Sequence, residues 1–538
     1  MEERFNLEKL NNSHNKKLWY EKDEKDFFNS FSDYLLLLVN NKHESSYNKS
    51  DLKNQNILNI LNQTELTIEN IRFDFFGYKF TELVKEFKSI SFENCHFNVH
   101  QIEIKNDCSF NKCLFDTEND NRILNIFIPE NVQCKYSDDC MFVRCTFKNE
   151  IEINPLNKDF DIAEYSEINI NLFFDCELKS IIATNIIFNA YFFKNKIRLF
   201  NDAFYCIISN NLFLKKCKFN KEFKLNNSDV KILNVDESIF NDKCKIVECE
   251  IQDANFKQTK FKELVGFDSS TFNKTNFRNT RFFKLVRFNK TKFLDDVNFD
   301  YSYFMEKSIF TNMVICKSIN LEKAFFNYSG NFLHIKNEID IEYKINVANR
   351  ETARIIKDSF EQQNNIIEAN KFYALEMKER EKELKFYKEP FEWLIFKIHG
   401  MVSNHSQDWL LALFWIINLT FVSNYLSFEF SCNESTLYKM DRLLFLFGSL
   451  IFIGYGIFRL KNFYKDILII VSTILFYIIY SNSYIGDENL KEFSNMINPF
   501  SIMTGKDELT FGILIYKITI AYLIYQLIVS IRQNTRRK

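Results

Sequence analysis

Glycine and proline are almost missing, with 10 Gly and 4 Pro in 538 residues. Turn-rich β-sandwiches and disordered linker chains need both in quantity, so neither class fits. A surplus of one charge is absent too. Against 71 Asp plus Glu stand 69 Lys plus Arg, and a net charge of −2 gives no global attraction to nucleic acid or to anionic lipid. Residues 1–8 hold no basic stretch leading into an apolar run, so no secretory leader is expected. Enzyme signatures are missing: there is no GxGxxG, HExxH or GxSxG, and Gly505-Lys506 lacks the upstream glycine of a phosphate loop. The seven histidines are scattered, and His96 and His100 read as surface residues. No catalytic residue, cofactor or metal site is expected, and the chain reads as a non-enzyme.

What is abundant is apolar: 46% of residues are hydrophobic, 17% are aromatic, and Phe alone occurs 61 times. Thirteen cysteines suggest disulfides until their positions are read. Ten of them (Cys95, Cys108, Cys113, Cys140, Cys145, Cys176, Cys206, Cys217, Cys244 and Cys249) stand two residues before a large apolar residue. That regularity describes a small buried side chain used repeatedly. No CxxC pair repeats and no His follows at ligand spacing, which opposes a metal site.

Between 251 and 326 large apolar residues recur at steps of five and sometimes six. The series is Ile251, Phe256, Phe261, Phe267, Phe272, Phe277, Phe282, Phe288, Phe293, Phe299, Phe304, Phe310, Ile315, Leu321 and Phe326. A smaller residue usually lies two positions earlier, as with Ala254, Thr259, Val265, Ser270, Thr275 and Thr280. Neither a helix nor an alternating strand has this period. A coil that turns a corner every five residues does. Four sides make a turn of roughly 20 residues whose backbone pairs in parallel with the next turn, and the Phe side chains stack into the core.

This pattern resembles the pentapeptide-repeat family, in which Leu or Phe is central and a small residue stands two before it. Earlier echoes are Phe92/Phe97, Phe110/Phe115, Phe142/Phe147, Ile168/Phe173/Leu178 and Val230/Val235/Phe240. The resemblance covers about 85–330 and implies a right-handed parallel β-helix of quadrilateral section. It differs in two ways. The Asp or Asn before the centre is irregular, and late six-residue steps give an 11-residue period (Phe288, Phe299, Phe310, Leu321) that should bulge at a corner. Residues 116–139 and 151–165 should bud out as loops. The family includes DNA mimics, which need an acidic face. Residues 251–330 carry 13 Lys plus Arg against 8 Asp plus Glu, so mimicry is not expected.

After the array, 338–388 reads as helical, with Ala353, Ile356, Phe360, Ile367, Ala374 and Met377 on one stripe. It is either one long helix or a helix pair similar to that following the repeats in membrane-bound relatives, with Asn364 where a Gly usually stands. Residues 376–383 read as a solvated charged face, and Pro390 as a stop. An interfacial helix is expected at 391–398, and Trp393 and Trp409 stand where interfacial aromatics belong.

Four stretches have spanning length: 409–428, 442–460, 463–481 and 509–531. Arg459, Lys461 and Lys465 lie between the second and third, and Arg532, Arg536, Arg537 and Lys538 follow the fourth, whereas Asp487, Glu488, Asp507 and Glu508 lie in the longer loop. The positive-inside rule then places both termini in the cytoplasm. Gly454-Tyr455-Gly456 echoes a potassium filter, but no Thr-rich pore helix precedes it. Close helix packing at Gly448, Gly454 and Gly456 is the better reading. Lys517 and Gln526 are intramembrane polar groups. Lys517 can snorkel or pair with Asp507 or Glu508, and Asn418 and Asn424 can bond across helices. Asn498-Pro499-Phe500-Ser501 is a candidate re-entrant loop.

The expected organisation is a mixed cap region at 1–84, a β-helix at 85–335, a helical linker at 336–400 and a membrane domain at 401–538. The function this suggests is a multi-pass scaffold of a bacterial inner membrane that offers the repeat array to a protein partner. The alternative is a channel or transporter with the repeats as a regulatory module. Expected partners are the lipid bilayer and an unidentified protein, with no nucleic acid. Coils of this kind also pair end to end, which leaves a homo-oligomer open.

Overall fold

A five-residue period gives each short side one large and one small inward side chain, so every coil must bury its Phe residues against the coil above and the coil below. A computed structural model of the chain describes residues 24–44, 46–48, 61–74, 87–104, 107–117, 123–128, 140–155, 166–194, 196–197, 203–204, 206–337, 345–431, 436–459, 462–481, 488–501 and 510–535. It divides into two units, Met1–Ala348 and Asn349–Lys538.

In the first unit, short strands stack in parallel from coil to coil. Their inward residues form four columns. Ile251, Phe272, Phe293 and Ile315 make the first, and Phe256, Phe277, Phe299 and Leu321 the second. Phe261, Phe282, Phe304 and Phe326 make the third, and Phe267, Phe288, Phe310 and Phe332 the fourth. All eleven Phe residues expected in the repeat core, from Phe256 to Phe310, are fully buried. Rings stack face to face up each column, with centroids 4.6 Å apart for Phe256 and Phe277, 5.0 Å for Phe282 and Phe304, and 4.7 Å for Phe310 and Phe332. Rings of different columns meet edge to face, as Phe267 and Phe277 do at 5.4 Å. Both arrangements suit the aromatic quadrupole.

The coil is longer than the expected 20 residues. Thr271 pairs with Lys292, 21 positions on, and Lys292 with Val314, 22 positions on. The change has a visible cause. Strand Thr271–Asn276 pairs with Lys292–Phe293 and again with Val297–Asn298, and Leu294-Asp295-Asp296 replaces the two residues Asn273-Lys274. One extra residue therefore bulges at that corner.

The four corners are not alike. After columns two and four the step is five residues, and the chain turns through a left-handed residue two positions past the centre. These are Gln258, Asn279, Tyr301 and Lys323 at one corner and Ser269, Lys290, Asn312 and His334 at the other, with φ between 53° and 58°. At the first of these tight corners Asn255, Asn276, Asn298 and Asn320 each accept, through Oδ1, the backbone N–H two residues ahead, at 3.2, 3.0, 2.9 and 3.0 Å. The Asn before the centre is irregular in sequence because this corner uses it as an Asx turn.

Tight corners also explain several of the cysteines. Each inward hydroxyl or thiol there donates to a carbonyl one coil earlier. Thr259 reaches the Val235 oxygen at 2.8 Å, Thr280 that of Phe256 at 2.7 Å, Ser302 that of Phe277 at 2.6 Å and Thr291 that of Phe267 at 2.6 Å. Nearer the N-terminus Cys95, Cys113, Cys145, Cys176 and Cys217 do the same at 3.3–3.5 Å. The longer bond fits the larger, weaker donor. At the other corners the small position is mostly Val or Ala, and the buried hydroxyls of Thr275 and Ser308 have no hydrogen-bond partner.

Parallel pairing begins upstream of residue 85. Glu65–Glu69 pairs with Ser89–Glu93, and Arg72–Phe73 with His96–Phe97, so part of the expected cap region is already coil. Helix α1 (Glu24–His43) covers this first coil, its Phe31 ring edge-on to Phe73 at 5.6 Å. Pairing also runs past 335, since Asn346–Val347 lies against Ser318–Ile319. The insertions are not simple loops. Leu124–Ile128 and Ile151 to Pro155 pair in parallel, while 118–122, 129–139 and 156–165 lie outside the described residues.

The second unit is helical. Of the two linker readings, the helix pair is the one present. Helix α2 (Arg350–Gln362) is capped by Asn349, α3 (Ile366–Glu383) by Asn365, and Asn364 turns between them at φ 60°. Phe360 stacks on Phe372 at 5.7 Å, whereas Ile367, placed on the inner stripe by its spacing, is 55% exposed. Pro390 does not end a helix. It opens α4 (Pro390–Ser403), where its missing N–H costs nothing. Four apolar helices follow or flank a short one: α5 (Trp409–Ser431), α6 (Thr436–Arg459), α7 (Asn462–Ser481), α8 (Glu488–Ile497) and α9 (Phe511–Thr535). Among the described residues three segments are long and apolar enough to cross a membrane: Trp409–Ser427, Tyr464–Ser481 and Phe511–Gln533. In α6 the apolar stretch is shorter, Leu444–Ile457.

Candidate functional site

Column three carries the outward face richest in exposed side chains. Its two outward ladders flank the central Phe of each coil. On one stand Lys260, Arg281, Tyr303 and Phe325, and on the other Lys262, Phe283, Met305 and Asn327. Phe283, Tyr303, Met305 and Phe325 are 38, 37, 38 and 47% exposed. Arg281 lies over the Tyr303 ring at 5.2 Å, and Tyr303 meets Phe325 at 6.2 Å. The face of column four is more polar, with Arg287 donating to both carboxylate oxygens of Asp268 at 2.8 and 2.9 Å, although Ile309 and Leu333 stand on it too.

Two thiols of the array, Cys217 and Cys249, are held protonated by burial. Both are pushed up to about 12, so the thiolate that would bind metal or attack an electrophile is disfavoured. Among the described residues no three His, Cys, Asp or Glu side chains converge as metal ligands. His100 is exposed, whereas His96, read as a surface residue, is only partly so, and burial lowers its pKa.

In the helical unit each residue singled out by sequence has a defined place. Gly454 lies inside α6 against the Trp415 indole, and a Cβ there would sit 2.2 Å from Cζ2. The Trp415 Nε1–H donates to the Met401 carbonyl at 3.2 Å, which holds the ring in place. Gly454 is thus a packing glycine, while Gly456 and Gly448 face open space. Lys517 does not snorkel. It is 2% exposed and donates to the carbonyls of Asn495, Met496 and Asn498 at 2.6, 3.1 and 3.0 Å, satisfying the C-terminus of α8. Asp487, Asp507 and Glu508 lie outside the described residues, as do Lys461 and residues 536–538. Residues 498–501 form a turn after α8. Asn418 bonds Thr473 across α5 and α7 at 3.0 Å, and Asn424 is buried with its amide nitrogen unpartnered. Lys465, one of the residues used for orientation, is paired with Asp408.

Gln526 belongs to a cluster that no motif announces. Between α4 and α5 the residues Asn404, His405 and Ser406 are all left-handed, with φ of 48°, 56° and 64°. Three such residues in a row store strain. The turn is held by Ser403 and Ser406, whose hydroxyls both donate to Gln526 Oε1, at 3.2 and 3.3 Å. His399 Nε2 bonds the Ser406 hydroxyl at 3.0 Å, and its ring meets His405 edge-on at 5.2 Å. His405 is fully buried. Its Nε2 bonds Glu381 Oε2 at 3.2 Å, while Nδ1 has no partner. Gly400 leaves room for this ring, since a Cβ would stand 3.2 Å from Nε2. The bond from His405, together with Lys397, holds Glu381 at about 2 against the cost of burial. Burial and the neighbouring His405 lower His399. Glu376 is likewise buried and paired with Lys357 at 2.8 Å, so within 376–383 only the end, Lys382 and Glu383, is the solvated face its charges suggest. The only sequence signal for the cluster was two His and two Ser crowded just before the first span.

Residues 256–302 match the family model described as pentapeptide repeats (9 copies). No curated protein matches this chain, and no solved structure matches it.

Proposed function

We propose that the protein is a membrane-anchored scaffold without catalysis, whose repeat array is a cytoplasmic surface for a protein partner. One observation carries the reading: a parallel coil with four ladder-like faces shares its chain, among the described residues, with three helices of spanning length. Stacked coils give a rigid surface with fixed side-chain spacing, which suits recognition more than chemistry. The finer form of the proposal has four crossings, with α6 as the second, and both termini in the cytoplasm of a bacterial cell. A photo-crosslinking residue placed at Asn273, Lys274 or Lys292 in the full-length protein in cells should give discrete protein adducts. Positions inside the coil, such as Thr280, should give none. Equal absence of adducts at every outward position would sink the scaffold reading.

A transport role is the second reading, and the cluster of buried His405 and Gln526 with half-buried His399 and Glu381 favours it. Ion or proton flux in liposomes that the Gln526→Leu variant abolishes would establish it in place of the first.

A further inference from the structure

We infer that the outward face of column three is a docking surface for an anionic lipid bilayer, an inference that rests on the membrane-anchor reading. Both ladders of this face lack carboxylates over the last four coils: Lys260, Arg281, Tyr303 and Phe325 on one, Lys262, Phe283, Met305 and Asn327 on the other. The nearest acidic groups, Glu263 and Glu306, lie past the second ladder, and Glu306 is engaged with Lys284 at 2.8 Å. Charge therefore runs along the face from purely cationic to aromatic, while the chain as a whole is at −2.

Parallel rungs repeat at about 4.8 Å, so the side chains stand in two straight rows. A soluble monomer rarely exposes rows of Phe, Tyr and Met without a partner. Two features select a bilayer over a protein. The residues are those of a membrane interface, with aromatic rings seated at the headgroup level and Lys or Arg beside phosphate. The spanning helices of the same chain also hold a bilayer at high effective concentration, so weak contacts suffice. The cations add attraction that falls with salt and with the loss of anionic lipid.

The test uses the full-length protein in nanodiscs of phosphatidylcholine alone or with about a third phosphatidylglycerol, read by hydroxyl-radical footprinting. Alkaline extraction of membranes first checks the anchor separately, so failure of the anchor and failure of docking are distinct results. In anionic discs the modification rates of Tyr303, Met305 and Phe325 should fall several-fold, while Leu294 on the column-one face stays unchanged. The combined Lys260→Glu, Lys262→Glu and Arg281→Glu variant should restore them, and the milder Gln set should restore them in part. Equal rates in both kinds of disc overturn the inference. Protection that ignores lipid charge and grows with protein concentration also overturns it, in favour of a second copy.

Discussion

The two units meet their buried polar groups in opposite ways. In the array one solution is copied from coil to coil: an Asn makes each turn at one corner, and a Thr, Ser or Cys donates to a carbonyl one coil back. In the helical unit the solution is made once, where α3, α4, the left-handed turn and α9 bring Glu381, His399, His405, Ser403, Ser406 and Gln526 together. A periodic requirement leaves a periodic sequence, whereas convergence from distant segments leaves almost none. The array should fail locally and by increments, and the helical junction as a whole.

The largest expected effect is in the array. Phe277→Ala removes a ring stacked on both neighbours, at 4.6 and 4.8 Å, and should cost about 3–5 kcal/mol. Chemical denaturation with hydrogen exchange should show the loss in the adjoining coils first. Next is Gly454→Ala, which drives a methyl into Trp415 and should cost about 1–3 kcal/mol by overpacking. Its signature is faster exchange in α5 and α6, with the array unchanged.

Acid should separate the units further. The folded pKa of His399 is depressed, so its contribution is full above about 6.5 and is lost as pH falls below that. Glu381 is depressed to about 2, so its contribution survives until pH drops below 4.5 and disappears toward 2. Protection against exchange, corrected for the intrinsic rate at each pH from 7.5 to 5, should fall around 399–406 and stay flat in 251–326. A uniform response would break the comparison.

The smallest effects distinguish the corners. Thr280→Val removes a bonded hydroxyl and should destabilise by about 1 kcal/mol. Thr275→Val removes an unpartnered one and should be neutral or stabilising by a similar amount. Equal losses from the two would mean that the corners do not differ chemically.

Much of the array was legible before any coordinates. Its core Phe residues follow from spacing, and the cysteines from standing two before a large residue. The six-residue steps were visible too, but which corners were tight was not, because that depends on left-handed residues of ordinary type such as Tyr301 and Lys323. The first coil was missed since Glu65–Phe73 stands 24 positions before its partners, off the five-residue period read further on. In the helical unit apolar length was legible, and so was a packing role for Gly454. Lys517 was read as reaching outward because its acceptors, the last carbonyls of α8, carry no sequence signature. Glu381 looked solvated because alternating charge describes a helix surface only when nothing packs on it.

The most direct test of the anchored scaffold is a topology map with reporter fusions after Ala348, Phe458 and Lys538. The account predicts that all three report the cytoplasm, with α6 crossing despite its shorter apolar stretch. Phe458 or Lys538 on the side opposite to Ala348 would contradict it, since an odd number of segments would then cross between them.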